Sequence, residues 1–131
     1  MADVSEKDRV LHQAAMLKHA QNRGALDPEY ASIMLLQGAY YGDIQLVVTL
    51  LERGVPLDTA DKVTGMTALH LAVGCNHLDV ARTLVERGAS FVPDKQGRMP
   101  TTIAAECEVS EDLCDFIVEA EAEAEVRGKG V

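Results

Sequence analysis

Histidine and cysteine are two residue types of this chain that could act as general bases, nucleophiles or metal ligands. His70 stands in the stretch Thr64–Val73, TGMTALHLAV. A general base needs a nucleophile and an orienting group within reach, and a metal needs further ligands. The sequence places neither set near His70. His12 and His19 lie two helical turns apart on a predicted helix, about 10 Å, which is too far for shared coordination. We therefore predict no catalytic residue, no metal site and no cofactor.

The three cysteines, Cys75, Cys107 and Cys114, do not follow a pattern with a chemical role. Their number is odd and no pair has C-x-x-C spacing, so neither a disulfide framework nor a zinc site is indicated. We expect buried thiols that pack as small hydrophobic residues. The start of the chain lacks the apolar core of a signal peptide, and no segment approaches the apolar length of a membrane-spanning helix. These features predict a cytoplasmic protein that does not bind a membrane.

Acidic residues are concentrated near one end of the chain. The formal net charge is −9, and nine acids with no base fall between Glu106 and Glu125. The residues before this stretch are nearly balanced in charge. Because an acidic protein repels phosphate backbones, we do not expect nucleic-acid binding. The acidic stretch leaves two interpretations open, a solvated helix face or a surface for a basic partner protein.

Two segments of the chain repeat each other. Asp43–Gly54 (DIQLVVTLLERG) and His77–Gly88 (HLDVARTLVERG) align over their whole length without a gap. In both, apolar residues recur at helical spacing and a glycine follows as a stop signal. A weaker third copy begins with Asp94–Glu106, and its continuation aligns Phe116–Ile117 with Leu84–Val85. Self-similarity at a period of about 33 residues predicts a solenoid of stacked helix pairs.

Each predicted unit consists of a short helix, a longer helix and a projecting turn rich in Pro, Asp and Gly. We predict a single domain over residues 1–131, with repeats at 27–60, 61–93 and 94–120. Residues 1–26 are predicted to hold a capping helix over 5–22, and a degenerate extra repeat is the alternative. Residues 121–131 are predicted to be a frayed acidic tail, because like charges at Glu121 and Glu125 weaken a helix.

One motif resembles a known family. Thr67–Ala72, T-A-L-H-L-A, is similar to the T-P-L-H-x-A signature of ankyrin repeats, in which each unit consists of a β-turn and two helices. The third repeat departs from it, since Met99–Thr102 lacks the leucine and the histidine, which suits a terminal repeat. The resemblance implies an all-α ankyrin-repeat solenoid of about three repeats behind an N-terminal capping helix.

The resemblance also implies roles for individual residues. Thr67 is expected to open the inner helix of the second repeat, and His70 to tie that helix to the neighbouring turn, with Gly65 and Gly97 in the turns. Partner-binding positions are expected at the ends of the inner helices and in the turns: Tyr40, Tyr41, Lys62, Met66, Cys75, Lys95, Arg98 and Glu106. Tyr40, Tyr41, Met66 and Arg98 are expected to border one shared concavity.

The predicted function is that of a non-catalytic protein–protein interaction module. An alternative is an inhibitor or immunity-type protein that neutralises a toxin or an enzyme, for which the acidic end would suit a basic target. A structural subunit of a larger assembly and a small enzyme are further alternatives. The predicted partner is another protein, and neither a nucleic acid nor a membrane.

Overall fold

The computed structural model describes residues 27–129, so the helix predicted over 5–22, and its alternative, lie outside the described residues. Six helices occur in the described part: α1 (Pro28–Tyr41), α2 (Ile44–Glu52), α3 (Ala68–Gly74), α4 (Leu78–Glu86), α5 (Pro100–Glu106) and α6 (Glu111–Lys129). Between residues 27 and 129 the only pairing of extended backbone is an isolated bridge between Ala60 and Thr67. The predicted all-α class is confirmed.

Side-chain caps define where the helices begin. The Asp27 carboxylate accepts a hydrogen bond from the backbone N–H of Glu29 at the start of α1, and Asp43 accepts one from Leu46 at the start of α2. Thr67 caps α3 reciprocally with His70, because each side chain bonds the backbone N–H of the other residue. Such bonds satisfy N–H groups that a helix leaves unpaired in its first turn.

The helices pack in two rows. The inner row is α1, α3 and α5, and the outer row is α2, α4 and α6, with each inner helix against the outer helix that follows it. Leucine, valine and isoleucine side chains fill the space between the rows, and those that are fully buried include Val47, Leu69, Leu84, Leu113 and Ile117. The three helix pairs are the three predicted repeats.

The third repeat differs in register from the sequence alignment. The loop between its helices, residues 107–110, is one residue longer than the loop at 75–77 in the second repeat. The outer helix α6 is therefore displaced along the chain by one position relative to the inner helix α5. Ile117, and not Phe116, takes the buried place of Leu84. The alignment of Phe116–Ile117 with Leu84–Val85 was wrong by one position.

The last helix also continues through the segment for which we predicted a frayed tail. Gly88 ends α4 in a left-handed conformation (φ 96°), a geometry that glycine adopts without strain. The corresponding position in the third repeat is Glu121, which lies within α6 and is flanked by alanines with high helix propensity. Ala120 is buried, and Thr101 of α5 donates a hydrogen bond to the Glu121 carboxylate at 2.7 Å. These contacts offset the repulsion between acids, and the helix continues to Lys129.

Candidate protein-binding surface

The turns that project before α3 and α5 are built around aspartates. The Asp61 carboxylate accepts hydrogen bonds from the backbone N–H groups of Val63 and Thr64 and from the Thr64 hydroxyl, at 2.8–3.1 Å. These bonds, with the backbone N–H of Thr64 contributing most, lower the pKa of Asp61 below its ordinary value of 3.8. Gly65 completes this turn with a φ of 75°, and Gly97 has a φ of 78° in the next turn.

Asp94 has the same role in the third repeat and in addition holds Arg98. Its carboxylate accepts backbone N–H bonds from Gln96 and Arg98 at 2.9 Å and a bond from the Arg98 guanidinium at 3.0 Å. Burial alone would raise the pKa of Asp94, but these hydrogen bonds outweigh it and the pKa lies below 3.8. Arg98 is thereby fixed, with its guanidinium also 3.4 Å from Glu106.

His70 joins the second repeat to the third. Its side chain is fully buried, and its Nε2 lies 2.8 Å from the backbone oxygen of Arg98. Its Nδ1 accepts the backbone N–H of Thr67 at 3.1 Å and lies 2.9 Å from the Thr67 hydroxyl. Since a carbonyl can only accept and an amide can only donate, the proton is on Nε2 and the ring is neutral. Burial lowers the pKa of His70 below 6.5, which agrees with this assignment.

His77 joins the first repeat to the second in a similar way. Its Nε2 donates to the backbone oxygen of Tyr40 at 3.0 Å. The ring passes so close to Gly42 that a Cβ atom built there would lie 2.5 Å from Nδ1 of His77. Gly42 also has a φ of 76°, where residues other than glycine are strained. Both observations explain the glycine at position 42, which the sequence analysis did not single out.

The tips of the turns are linked in a row. The backbone N–H of Lys95 donates to the backbone oxygen of Thr64 at 3.0 Å, and its ammonium group donates to the backbone oxygen of Lys62. The Lys62 ammonium in turn lies 3.1 Å from a carboxylate oxygen of Glu29 on α1. Lys62 and Lys95 therefore project side by side along one edge of the molecule, and both remain exposed.

An apolar groove runs between these turns and the inner helices. Its first part, about 390 Å³, is lined by Ile33, Leu36, Gln37, Tyr40, Tyr41, Asp61, Thr64, Met66 and Leu71. Its second part, about 460 Å³, shares Ile33, Leu36 and Asp61 and continues toward Lys62 and the start of α1. We refer to both parts together as the concave groove. The rings of Tyr40 and Tyr41 meet edge to face, with centroids 5.1 Å apart.

The structure thus brings together some of the expected partner-binding residues and separates others. Tyr40, Tyr41 and Met66 line the concave groove, and Lys62 lies at its edge. Arg98 is not among the lining residues, because it is bound to Asp94 in the next repeat.

The remaining expected positions, Glu106, Lys95 and Cys75, also lie outside the lining of the concave groove. Glu106 ends α5 and contacts Arg98, while Lys95 is at the tip of the turn before α5. Cys75 follows α3, where burial raises the pKa of its thiol.

Ile33 is a groove residue that the sequence analysis missed. It is 44% exposed, which is unusual for isoleucine, and it lies at the centre of the concave groove where the two parts meet. A sequence signal for it exists. Ile33, Gln37, Tyr40 and Tyr41 have the spacing i, i+4, i+7 and i+8, which places them on one face of α1.

The three cysteines are less buried than the sequence predicted. The expectation of buried thiols was wrong for Cys107, which is exposed, while Cys75 and Cys114 are half-buried. Cys107 lies in the longer loop of the last repeat. Among residues 27–129, no three side chains of His, Cys, Asp or Glu are grouped closely enough to hold a metal ion. In the same part of the chain, no helix has the length and apolar character needed to cross a membrane.

Comparison with known proteins decides the family. The family model for ankyrin repeats (3 copies) matches residues 35–128. The chain is an ankyrin-repeat protein. It is 33% identical over 73 residues to an ankyrin repeat-containing protein of Schizosaccharomyces pombe, a match that covers 55% of this chain and 35% of that protein. It is 32% identical over 93 residues to mouse ankyrin repeat domain-containing protein 40, covering 70% of this chain and 25% of that protein.

Membership of the family indicates a general role for the ankyrin-repeat chain. The chain spans about a third or less of the length of both relatives. Ankyrin repeats are generally protein–protein interaction modules, and proteins of the family are generally non-catalytic. The chain is also similar to L-asparaginase of Dirofilaria immitis, at 32% identity over 88 residues, but the match covers only 14% of that enzyme.

Proposed function

We propose that this ankyrin-repeat protein binds a partner protein in the concave groove and has no catalytic activity of its own. The observation that carries the proposal is the composition of the groove. Ile33 is 44% exposed there, beside the paired rings of Tyr40 and Tyr41 and the Met66 side chain. Exposed aliphatic and aromatic side chains in a concavity are typical anchor sites of protein interfaces.

The polar edge of the groove supports a protein partner with an extended or looped segment. Lys62 and Glu29 form an exposed ion pair at one end of the groove. Charged groups at such an edge can bind the backbone of a partner while the apolar residues hold its side chains. Because the chain carries a net charge of −9, we do not expect nucleic acid or an anionic membrane to bind.

A peptide selection followed by variant analysis tests this proposal. Peptides are selected from a display library against the whole chain, and their affinity is measured by fluorescence anisotropy. The double variant Ile33→Ser/Tyr41→Ala should weaken binding about tenfold or more, as is typical when interface anchors are removed. Val92→Ser is the matched control, because Val92 is 37% exposed and does not line the concave groove.

Circular dichroism spectra and melting curves are measured for each variant, so that a loss of peptide binding is not mistaken for unfolding. Peptides that bind the folded double variant as tightly as the original chain would contradict the concave-groove proposal. Hydrolytic or transfer activity of the purified chain, abolished by His70→Ala without loss of the fold, would contradict the non-catalytic assignment.

A second candidate function is inhibition of a basic toxin or enzyme, as an immunity-type protein would provide. The observation that favours it is the stretch of nine acids without a base between Glu106 and Glu125. A gene for a small basic protein beside the gene of this chain, and inhibition of that protein by the purified chain, would distinguish inhibition from an adaptor role.

A cytoplasmic location is also proposed, since the described cysteines are unpaired thiols, and cell fractionation tests it.

A further inference from the structure

The extended helix α6 presents a second apolar surface, distinct from the concave groove. Val118, Ala122 and Val126 are all exposed and follow one another at i, i+4 and i+8. This spacing aligns them along one side of the helix over about 12 Å, which is slightly more than two helical turns. We refer to these three residues as the α6 stripe.

The exposure of the α6 stripe is a property of the last repeat. Val118 occupies the place that Leu51 and Val85 occupy in the first and second repeats, and those residues are partly buried against the core. Val118 is nevertheless 52% exposed, and Val126 further along is 70% exposed. Both valines lie on α6, which the hydrogen bond from Thr101 to Glu121 holds against α5. An apolar stripe on a fixed helix offers a partner surface at little entropic cost.

Acidic side chains border the α6 stripe on both sides. Glu119 comes one position after Val118, and Glu123 one position after Ala122. Glu121 and Glu125 come three positions after the same two stripe residues. Helical geometry places the first pair on one flank and the second pair on the other. A shallow groove of about 540 Å³ along this helix is lined by Glu119, Ala122, Glu123, Val126 and Arg127. Arg127 is the one base in that lining.

We propose that the α6 stripe binds a basic amphipathic helix of a partner protein. The apolar side of such a helix would cover Val118, Ala122 and Val126, and its flanking lysines or arginines would face Glu119, Glu123 and Glu125. Helix pairing with an apolar seam and charged flanks is a recurring mode of recognition. The small apolar residues predict a modest affinity, and the acidic flanks predict fast, salt-sensitive association.

The same charges disfavour the other occupants of such a surface. A second copy of this chain would bring one acidic helix against another, and like charges across an interface are unfavourable. An anionic membrane would be repelled for the same reason. The surface shares no residue with the concave groove, so this inference does not rest on binding in that groove.

The experiment uses the whole chain and a synthetic probe. A fluorescein-labelled helical peptide of about five turns carries leucines along one face and lysines elsewhere, and a matched peptide carries glutamates instead of lysines. Fluorescence anisotropy should show binding of the lysine peptide that weakens as salt increases, and no binding of the glutamate peptide. Val118→Ser/Val126→Ser should weaken binding about tenfold, consistent with the loss of two exposed apolar contacts. Glu119→Gln/Glu123→Gln should weaken it several-fold and reduce the dependence on salt.

Matched controls separate this surface from general attraction. Val63→Ser removes a valine that is 82% exposed on the turn before α3, and it should leave the affinity unchanged. Ile33→Ser/Tyr41→Ala, which tests the concave groove, should also leave it unchanged. All these positions except Tyr41 are exposed, and melting curves verify that each variant is folded.

Several results would overturn the inference. If Val118→Ser/Val126→Ser bound the lysine peptide as tightly as the original chain, the attraction would come from the acids alone. If the original chain did not bind the lysine peptide, the α6 stripe would not be a binding surface for a basic helix. Sedimentation experiments could show concentration-dependent dimerisation that is lost in Val118→Ser/Val126→Ser. This result would assign the α6 stripe to a second copy of the chain. Binding to anionic vesicles, lost in the same variant, would assign it to a membrane.

Discussion

At the scale of single residues, the histidine of the T-A-L-H motif stabilises a joint between repeats. His70 is buried, neutral and bonded on both nitrogens, with the Arg98 carbonyl on one side and Thr67 on the other. Both ring nitrogens are therefore occupied by backbone groups, so the ring has no free position for a substrate or a metal ion. The residue type that first suggested chemistry is here part of the scaffold.

The buried histidine makes stability depend on pH. Because burial lowers the folded-state pKa of His70 below 6.5, its stabilising contribution is complete above pH 6.5 and is lost as the pH falls through the folded pKa. Thermal melting between pH 7.5 and 5.0 should show a lower Tm at the acidic end. His70→Gln should reduce this slope. The Asp61 and Asp94 carboxylates do not contribute in this window, because their pKa values lie below 3.8.

The loss of the side chain itself should also be measurable. We expect His70→Ala to reduce the free energy of unfolding by about 1–3 kcal/mol, the cost of leaving buried partners without hydrogen bonds. An unchanged Tm for His70→Ala, or a pH slope equal in His70→Gln and the original chain, would contradict the role assigned to this ring.

Two glycines with similar backbone angles allow packing to be separated from backbone strain. Gly42 and Gly54 both have positive φ, at 76° and 92°, but a Cβ at Gly42 would collide with His77 and one at Gly54 would meet open space. Gly54→Ala should cost about 1–2 kcal/mol for the left-handed conformation. Gly42→Ala should cost clearly more, because the His77 ring must also move. Chemical denaturation of both variants measures the difference, and equal costs would show that the ring adapts freely.

At the scale of the elements, α6 shows how one missing stop signal lengthens a helix. The earlier outer helix α4 ends at Glu86 before a glycine, while α6 passes the corresponding position and runs to Lys129. The added residues are held at their start by the buried Ala120 and by the bond from Thr101 to Glu121.

Two neighbouring threonines on α5 test this anchor. Thr101 bonds Glu121, whereas Thr102 is exposed and no hydrogen bond involves its side chain in the described structure. Thr101→Val should increase amide hydrogen exchange over residues 121–127, because the extension then loses its only polar tie to α5 among the described contacts. Thr102→Val should leave this exchange unchanged. Equal exchange in both variants would indicate that apolar packing alone holds the extension.

The elements also show which features were predictable. The helix pairs and the turns followed from apolar periodicity and from the glycine, proline and aspartate signals, because these act locally. The register of the third repeat did not follow, since one additional residue in the loop at 107–110 moves Ile117 into the buried place. The extent of α6 was wrongly predicted because like charges received more weight than the absence of a glycine stop and the presence of alanines.

At the scale of the whole molecule, the repeats determine which residues can share a surface. The concave groove brings together Tyr40, Tyr41 and Met66 because α1 and the turn before α3 are neighbours. Arg98 belongs to the next turn and is held there by Asp94, so the expectation of one concavity for all four residues extended one repeat too far. Equivalent positions in a solenoid are regularly spaced, but the side chain at each position determines whether adjacent units contribute to one groove.

The joints between repeats also bear on how such a surface can change during evolution. Three of the hydrogen bonds between repeats use a backbone oxygen as the acceptor: His77 donates to that of Tyr40, His70 to that of Arg98, and the Lys95 amide to that of Thr64. A carbonyl oxygen is present whatever side chain the residue carries. Mutations at positions 40, 64 and 98 therefore leave these three acceptors in place. Thr64 and Arg98 also hold Asp61 and Asp94 through their side chains, so Tyr40, which lines the concave groove, is the position of the three where recognition can change with the turns preserved. A combinatorial library randomised at position 40 would draw new binders from a scaffold that keeps the acceptor of the His77 bond.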